Sequence, residues 1–145
     1  MRRWLLPAAL AATLTVACGS SATSPSDPLT GVWSGTLDDS QMGVTNATLT
    51  LQGNVTNGSP GATGQWMSGF SSPYDHGSVV MTTVSSQLVL VMTTSATVPC
   101  LGGAAPSSVS LLSNVTLTGS SLTGRYFGLD CVLHTVSGTL TLTRP

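Results

Sequence analysis

The sequence predicts an all-β domain in the form of an eight-stranded antiparallel up-and-down barrel. Apolar and polar residues alternate with a period of two through most of residues 29–145, which is typical of strands with one buried face. Thr, Ser and Val are abundant, and the helix formers Lys and Glu are absent. No segment has the 3.6-residue period of an amphipathic helix. These observations favour a domain built from strands alone.

A leader precedes this domain. Residues 1–17 begin with a positive charge, continue with a short apolar stretch and end in small residues, which is the layout of a secretory signal peptide. The apolar stretch is shorter than the ~20 residues that cross a bilayer as a helix. We therefore expect residues 1–17 to direct export and not to remain as a transmembrane helix.

The end of the leader reads Leu14-Thr-Val-Ala-Cys18-Gly and resembles the bacterial lipobox, although Thr15 stands where Leu is more usual. The resemblance implies that Cys18 is acylated and becomes the first residue of a lipoprotein held on a membrane by several acyl chains. Gly19 is not the Asp that often marks inner-membrane retention, so the outer membrane is favoured if the cell has one. The alternative is an ordinary cleaved leader followed by an incidental cysteine.

Residues 18–28 link the leader to the domain. They are small and polar with two prolines, and we expect them to form a disordered tether. Residues 29–145 suffice for one domain with its own core. The exported part keeps two arginines against five aspartates. It lacks the clustered cations that bind phosphates, so the composition excludes a nucleic-acid partner.

Eight segments of the domain have the alternation expected of strands. They are residues 30–38, 45–52, 61–67, 77–84, 87–94, 108–118, 121–127 and 135–144. The connections between them alternate between short and long, so an up-and-down order places every long loop at one end of the barrel. The long loops are residues 38–44, 68–76, 95–107 and 128–134.

Two of these long loops carry the remaining cysteines, Cys100 and Cys131. If Cys18 carries lipid, two cysteines remain in an oxidising compartment, and we expect a disulfide between them. The up-and-down order brings their loops to the same end, which supports the pairing. The alternative is two separate buried thiols. Two cysteines alone do not form a zinc site, and the sequence predicts neither a metal nor a cofactor.

A short pattern recurs four times, with Gly between two apolar residues on one strand face. The glycines are Gly35, Gly64, Gly124 and Gly138. Strand glycines in one register indicate places where barrel strands approach closely or coil tightly. The interior of an eight-stranded barrel is either filled by side chains or holds one small ligand.

The first strand begins Leu29-Thr-Gly-Val-Trp33, which resembles the G-x-W start of the calycins, the family of lipocalin and avidin barrels. Leu122-Thr-Gly-Arg-Tyr126 is similar to an avidin-type strand. In these families the first-strand Trp closes the base of the barrel beneath an Arg or Lys from the last strand. The resemblance implies that Arg144 stacks on Trp33, a cation–π contact worth about 1 kcal/mol.

Side chains with catalytic potential are few. The chain has no G-x-S-x-G nucleophile elbow, and both domain cysteines are expected to be paired. Asp75 with His76, and Asp130 with His134, lie on long loops of one end and could converge there. Solvated loop residues explain them more simply, so we predict no catalytic site and no metal site.

The long-loop end of the barrel is the expected ligand mouth. It carries aromatic and polar side chains suited to fixing a small molecule. They are Trp66, Phe70, Tyr74, Asp75 and His76. The alternative is that Trp66 belongs to the core and the loop aromatics cover the disulfide. We therefore expect an envelope protein that binds a small or apolar ligand, or else one that binds an envelope protein, for example as an inhibitor of a lytic enzyme or protease.

Overall fold

The computed structural model describes residues 27–56 and 59–145. Its strands follow one another around a closed barrel, in which each pairs antiparallel with the next and the last pairs with the first. The strands are β1 (Gly31–Asp39), β2 (Gly43–Thr56), β3 (Ser59–Ser68), β4 (His76–Val84), β5 (Gln87–Val98), β6 (Ser107–Thr118), β7 (Ser121–Leu129) and β8 (Thr135–Thr143). The predicted eight-stranded up-and-down barrel is confirmed.

The connections divide into two sets, one at each end of the barrel. The turn end holds the connections β2–β3, β4–β5 and β6–β7 together with both termini of the domain, and the loop end holds the other four. One predicted long loop is wrong, because the β1–β2 connection spans only residues 40–42. The Asp39 carboxylate accepts hydrogen bonds from the backbone N–H groups of Gln41 and Met42, at 2.8 and 3.0 Å, and so stabilises a tight turn.

The barrel interior is a packed apolar core over most of its length. Its largest fully buried side chains include Trp33, Leu37, Leu49, Trp66, Met81, Leu90, Met92, Leu122, Leu140 and Leu142. Many outward positions on the same strands are Thr or Ser. The alternation seen in the sequence therefore separates an apolar interior from a polar exterior.

All four recurring glycines lie where neighbouring strands approach closely. A Cβ on Gly35 would overlap the carbonyl oxygen of Thr141 on β8, and a Cβ on Gly64 would overlap that of Thr50 on β2. Gly124 and Gly138 lie in the same way against backbone carbonyl oxygens of β6 and β1. The close approach that these glycines predict is present at all four.

Strand β5 extends further than its alternation predicts, to Val98 and not to residue 94. Its pairing with β6 shifts by two residues between Thr93 and Thr97, a bulge that leaves Met92, Thr94 and Val98 on the same inward face. Within the bulge, the Thr94 hydroxyl accepts a hydrogen bond from the backbone N–H of Val109 at 2.9 Å. This side chain replaces a backbone acceptor that the shift of register removes.

The described strands all lie between Gly31 and Thr143, and the buried core begins at Leu29. The barrel therefore closes without any residue before position 27. Within residues 27–56 and 59–145, no helix is long and apolar enough to cross a membrane. The predicted signal peptide, the lipidation site Cys18 and the tether up to residue 26 lie outside the described residues.

Candidate functional site

One half of the turn end is closed by the two termini of the domain. The indole N–H of the fully buried Trp33 donates to the Leu29 carbonyl at 3.0 Å. The Arg144 guanidinium lies 4.9 Å from the centre of the Trp33 ring and donates to the Thr30 carbonyl at 2.7 Å. The structure thus brings Trp33 and Arg144 together at the base of the barrel.

Among residues 27–56 and 59–145, the other half of the turn end is open and forms a groove of about 590 Å³, which we call the turn-end groove. Its walls come from the segment before β1, the starts of β3 and β5, and the ends of β4 and β6. Its lining residues are Pro28, Leu29, Pro60, Thr83, Ser86, Gln87, Leu88, Val115, Thr116 and Leu117. This volume lies within the ~300–1,000 Å³ that is typical of small-molecule sites.

The turn-end groove has an apolar floor. Leu88 shares the inward face of β5 with the fully buried Leu90, and Leu117 continues the inward face of β6 beyond Val115. Leu88 and Leu117 are only partly buried, because they lie beyond the last packed layer of the core. None of the groove's lining residues is charged. Such a lining favours an apolar ligand over an ionic one.

The loop end, by contrast, is closed by a buried carboxylate paired with a tyrosine. Asp39 lies on the inward face of β1 and is 3% exposed. Besides the two N–H groups of its turn, its carboxylate accepts a hydrogen bond from the Tyr126 hydroxyl at 3.1 Å. Burial, followed by the charge of Asp39, raises the pKa of Tyr126 far above its usual value. The hydroxyl therefore stays protonated and keeps donating to Asp39.

A second carboxylate, Asp130, organises the loop between β7 and β8. Its Oδ1 accepts hydrogen bonds from the backbone N–H groups of Val132 at 3.0 Å and His134 at 2.8 Å. Its Oδ2 lies 3.6 Å from His134 Nδ1 and accepts a long hydrogen bond from the Tyr74 hydroxyl at 3.5 Å. Burial and the charge of Asp130 raise the pKa of Tyr74. These contacts hold the loop in shape.

The two carboxylates line one small pocket of about 120 Å³. Its other lining residues are Gln41, Met42, Tyr74, His134, Thr135 and Val136. This volume is well below the ~300 Å³ at which small-molecule sites usually begin, so it suits a few water molecules better than an apolar ligand. Within the described residues, no group of three His, Cys, Asp or Glu side chains is arranged to hold a metal ion.

Cys100 and Cys131 are joined by a disulfide, as predicted. The bond links the β5–β6 loop to the β7–β8 loop, and the Leu101 N–H donates to the Cys131 carbonyl at 3.4 Å. Beside the bond, the side chains of Leu101 and Leu133 are 66% and 74% exposed. The disulfide therefore joins two loops that each present an apolar side chain to solvent.

The five residues of the predicted ligand mouth occupy different environments. Trp66 belongs to the core, and its indole N–H donates to a β5 backbone carbonyl at 3.2 Å. Phe70 and Tyr74 pack against that core, and of the five only Tyr74 lines the small loop-end pocket. Asp75 Oδ1, itself shielded from solvent, lies 3.1 Å from Nδ1 of the half-exposed His76. Desolvation raises the pKa of Asp75, but hydrogen bonds from His76 and the backbone outweigh it and hold the pKa below its usual value.

Neither the turn-end groove nor the role of Asp39 is predicted from the sequence. Leu88 and Leu117 alternate in the same way as core leucines, so no sequence signal marks their partial burial. The inward position of Asp39 does have a sequence signal, because Asp39 has the same parity on β1 as Trp33 and Leu37. That parity places a carboxylate on the inward face of the barrel.

Comparison of the chain with protein-family models, with curated proteins and with solved structures finds no match in any of the three. A functional assignment therefore depends on the geometry of the two barrel ends. Of the two, the turn end has the larger pocket, with no charged lining residue.

Proposed function

We propose that this chain is an exported lipoprotein that is held on a membrane through Cys18 and binds a small uncharged apolar ligand without catalysing a reaction. The observation that supports ligand binding is the turn-end groove, which is open, about 590 Å³ in volume and free of charged lining residues. The lipobox-like residues before Cys18 support the anchor, on the outer membrane where the cell has one.

The proposed ligand site lies at the turn end and not at the loop-end mouth. The loop-end pocket is about 120 Å³ in volume, and the buried carboxylates of Asp39 and Asp130 line it. An apolar ligand there would remove these charges further from water at a cost in free energy. At the turn end, a ligand would cover Leu88 and Leu117 and remove apolar surface from water, which stabilises the complex.

Ligand binding can be tested with protein whose mature chain begins at Gly19 and carries no lipid, since the barrel closes within the described residues. A panel of uncharged apolar molecules would be screened for an increase in melting temperature. A ligand at a hundred times its Kd stabilises the folded state by about 2.7 kcal/mol. We expect at least one member of the panel to bind.

The location of the site is tested by Leu88→Gln, which makes the groove floor polar. The matched control is Val89→Gln, the next residue on β5, on the outward face. Loss of ligand stabilisation in Leu88→Gln but not in Val89→Gln would support the turn-end groove. Equal responses in both variants, or no binding by the unsubstituted protein, would refute the proposal.

The anchor is tested separately by Cys18→Ser in the full chain expressed in a bacterium. We expect the unsubstituted protein to remain with the membrane fraction, and its N-terminal peptide to carry acyl chains by mass spectrometry. Cys18→Ser should abolish the acylation. An unmodified cysteine in the unsubstituted protein would refute lipid anchoring and leave ligand binding intact.

A protein-binding role is the second candidate, because Leu101 and Leu133 are exposed on loops joined by the disulfide. Apolar side chains fixed on such loops suit a contact with another protein, such as a lytic enzyme or protease of the envelope that the chain would inhibit. The double variant Leu101→Ser/Leu133→Ser should lose an envelope partner captured by chemical cross-linking. Retention of that partner by the variant would refute this candidate.

A further inference from the structure

We infer that the ligand of the turn-end groove is a single acyl chain of a lipid in the membrane on which the protein is anchored. The inference rests on the proposed function, because it names the class of ligand for the same groove. Three observations carry it: the chemistry of the lining, the separation of the arginines from the groove, and the place at which the chain enters the barrel.

The lining separates into an apolar floor and a polar rim. Leu29, Leu88, Val115 and Leu117 provide the floor, and the rim carries hydroxyl and amide groups. The rim residues are Thr83, Ser86, Gln87 and Thr116. Hydrocarbon fits the floor. The Thr83 hydroxyl already donates to the Pro60 carbonyl at 2.8 Å. The hydroxyls of Ser86 and Thr116 and the amide of Gln87 can donate to ester and glycerol oxygens. An acyl chain with an esterified head group has this division of polarity.

The arginines of the domain do not line the groove, which argues against an ionised ligand. Arg144 is held by the Thr30 carbonyl and the Trp33 ring. Arg125 lies on β7, which contributes no residue to the groove lining. A free fatty acid would bring a carboxylate to a lining with no cation to pair it, at a cost in desolvation. The charge-free lining therefore favours a chain whose head group stays outside.

The groove lies at the end of the barrel where the chain that follows Cys18 enters the first strand. Pro28 and Leu29 line it, and Asp27 precedes them directly. Asp27 is nine residue positions after Cys18, and an extended chain covers at most about 3.5 Å per position. The tether therefore spans no more than about 30 Å, so the groove opens within that distance of the membrane surface.

The acyl chains on Cys18 itself are a second source of the same chemistry. One acyl chain alone gives only marginal membrane binding, and stable anchoring requires at least two hydrophobic attachments. A Cys18 chain withdrawn into the groove would weaken the anchor. The inference therefore commits to a separate membrane lipid, and capture of a Cys18 chain is an outcome that would overturn it.

The first test places the photoreactive amino acid benzoylphenylalanine at Leu117 in the full lipidated chain, expressed in a bacterium and irradiated in intact cells. The matched control is Asn114, on an outward position of the same strand. We expect an adduct with the mass of a membrane phospholipid at position 117, at least about tenfold more abundant than at position 114. Position 88 is the second inward site if the Leu117 substitution prevents folding.

Absence of a phospholipid adduct at both inward positions, or equal adducts at positions 114 and 117, would overturn the inference. A cross-link from position 117 to the Cys18 peptide, with no added lipid mass, would assign the groove to the protein's own anchor and also overturn it. A cross-link to another protein at position 117 would replace the lipid with a protein partner.

The second test separates this inference from the proposed function. The non-lipidated protein beginning at Gly19 is titrated with 1-alkanols of increasing chain length. Each methylene that enters an apolar groove should increase affinity about fourfold until the groove is full. A fatty acid of the same length, measured at pH 8, should bind no more tightly than the alkanol, and tighter binding would overturn the inference.

The two tests give distinguishable failures. A length-dependent affinity without any phospholipid adduct would leave apolar ligand binding intact and refute the membrane lipid. An affinity that does not depend on chain length, or that is equal in Leu88→Gln, would refute the groove as an apolar site and with it the proposed function.

Discussion

The two ends of this barrel are closed by different means. At the turn end, Trp33 and Arg144 cover one half and leave an uncharged groove over the other. At the loop end, two carboxylates and a disulfide hold the connections together, and the pocket that remains is about 120 Å³. One end is therefore apolar and open, and the other is polar and closed.

This difference shows how one repeating strand pattern produces unlike surfaces. The alternation that builds the core is the same along every strand, so the ends differ only in the few residues beyond the last packed layer. At the loop end these include Asp39, whose burial requires hydrogen bonds from its turn and from Tyr126. At the turn end they include Leu88 and Leu117, whose partial exposure leaves room for a ligand.

The largest expected effect is at the loop end. The double variant Cys100→Ser/Cys131→Ser removes the disulfide, which joins two residues 31 positions apart in the sequence. In the chain-entropy model it should lower the free energy of unfolding by about 3.7 kcal/mol, measured by urea denaturation. Ligand binding at the turn end should be unchanged in the folded variant. A loss below about 1 kcal/mol would show that the loop end is held by its hydrogen bonds alone.

A pair of leucines on β5 measures where the packed core stops. Leu90 is fully buried, and Leu90→Ala should lower the free energy of unfolding by about 3 kcal/mol. Leu88→Ala, two residues nearer the turn end, should cost only about 1 kcal/mol, because water already reaches this side chain. Equal losses in urea denaturation would show that the turn end is packed as tightly as the middle of the barrel.

The Tyr126–Asp39 pair predicts a stability that falls in alkali. The pKa of Tyr126 is raised in the folded state, so its contribution is complete below the unfolded value of about 10 and decreases as pH rises above it. At pH 7, Tyr126→Phe should lower the free energy of unfolding by about 2 kcal/mol, because it removes a donor from a buried carboxylate. That difference should shrink between pH 10 and 11.

The control for this prediction is Tyr74→Phe. Its hydroxyl lies at 3.5 Å from Asp130 and its side chain is less buried than that of Tyr126, so both the loss at pH 7 and the change with pH should be smaller. A constant difference between Tyr126→Phe and the unsubstituted protein from pH 7 to 11 would contradict the raised pKa of Tyr126, to which burial contributes most and Asp39 next.

The smallest effect concerns the closed half of the turn end. Arg144→Ala removes the cation from the Trp33 ring and should lower the free energy of unfolding by about 1 kcal/mol. Arg125→Ala removes the same charge from the outward face of β7 and should change it by less than about 0.5 kcal/mol. Equal effects of the two substitutions would show that the stacking on Trp33 contributes nothing beyond charge.

Most of the fold could be predicted because it depends on alternation, which the sequence shows directly. Leu140 and Leu142, with threonines between them, indicate a strand in any context. The end of β5 could not be predicted, because residues 94–97 read Thr-Ser-Ala-Thr and show no clear alternation of apolar and polar side chains. The shortness of the β1–β2 connection could not be predicted either, because it depends on one side chain, Asp39, which turns inward and accepts hydrogen bonds from the turn.

The candidate site was harder to predict than the fold. The disulfide followed from the count of cysteines and from the strand order, because both Cys100 and Cys131 fall on connections of one end. The groove did not follow, since the partial exposure of Leu88 depends on which distant segments lie beside it, and Pro28 and Pro60 are far from it in sequence. Trp66 is a residue type that is common in ligand sites, but here it is part of the core.

The closed ladder of strands affects how the protein behaves at high local concentration. A sheet with free edges offers unpaired N–H and C=O groups, and neighbouring molecules can pair with them to form aggregates. Here β1 pairs with β8, so the sheet has no free edge. Where the β5–β6 register shifts, the Thr94 hydroxyl accepts a hydrogen bond from the backbone N–H of Val109. Molecules at high local concentration therefore present Ser- and Thr-rich walls to one another, and are protected from polymerising edge to edge.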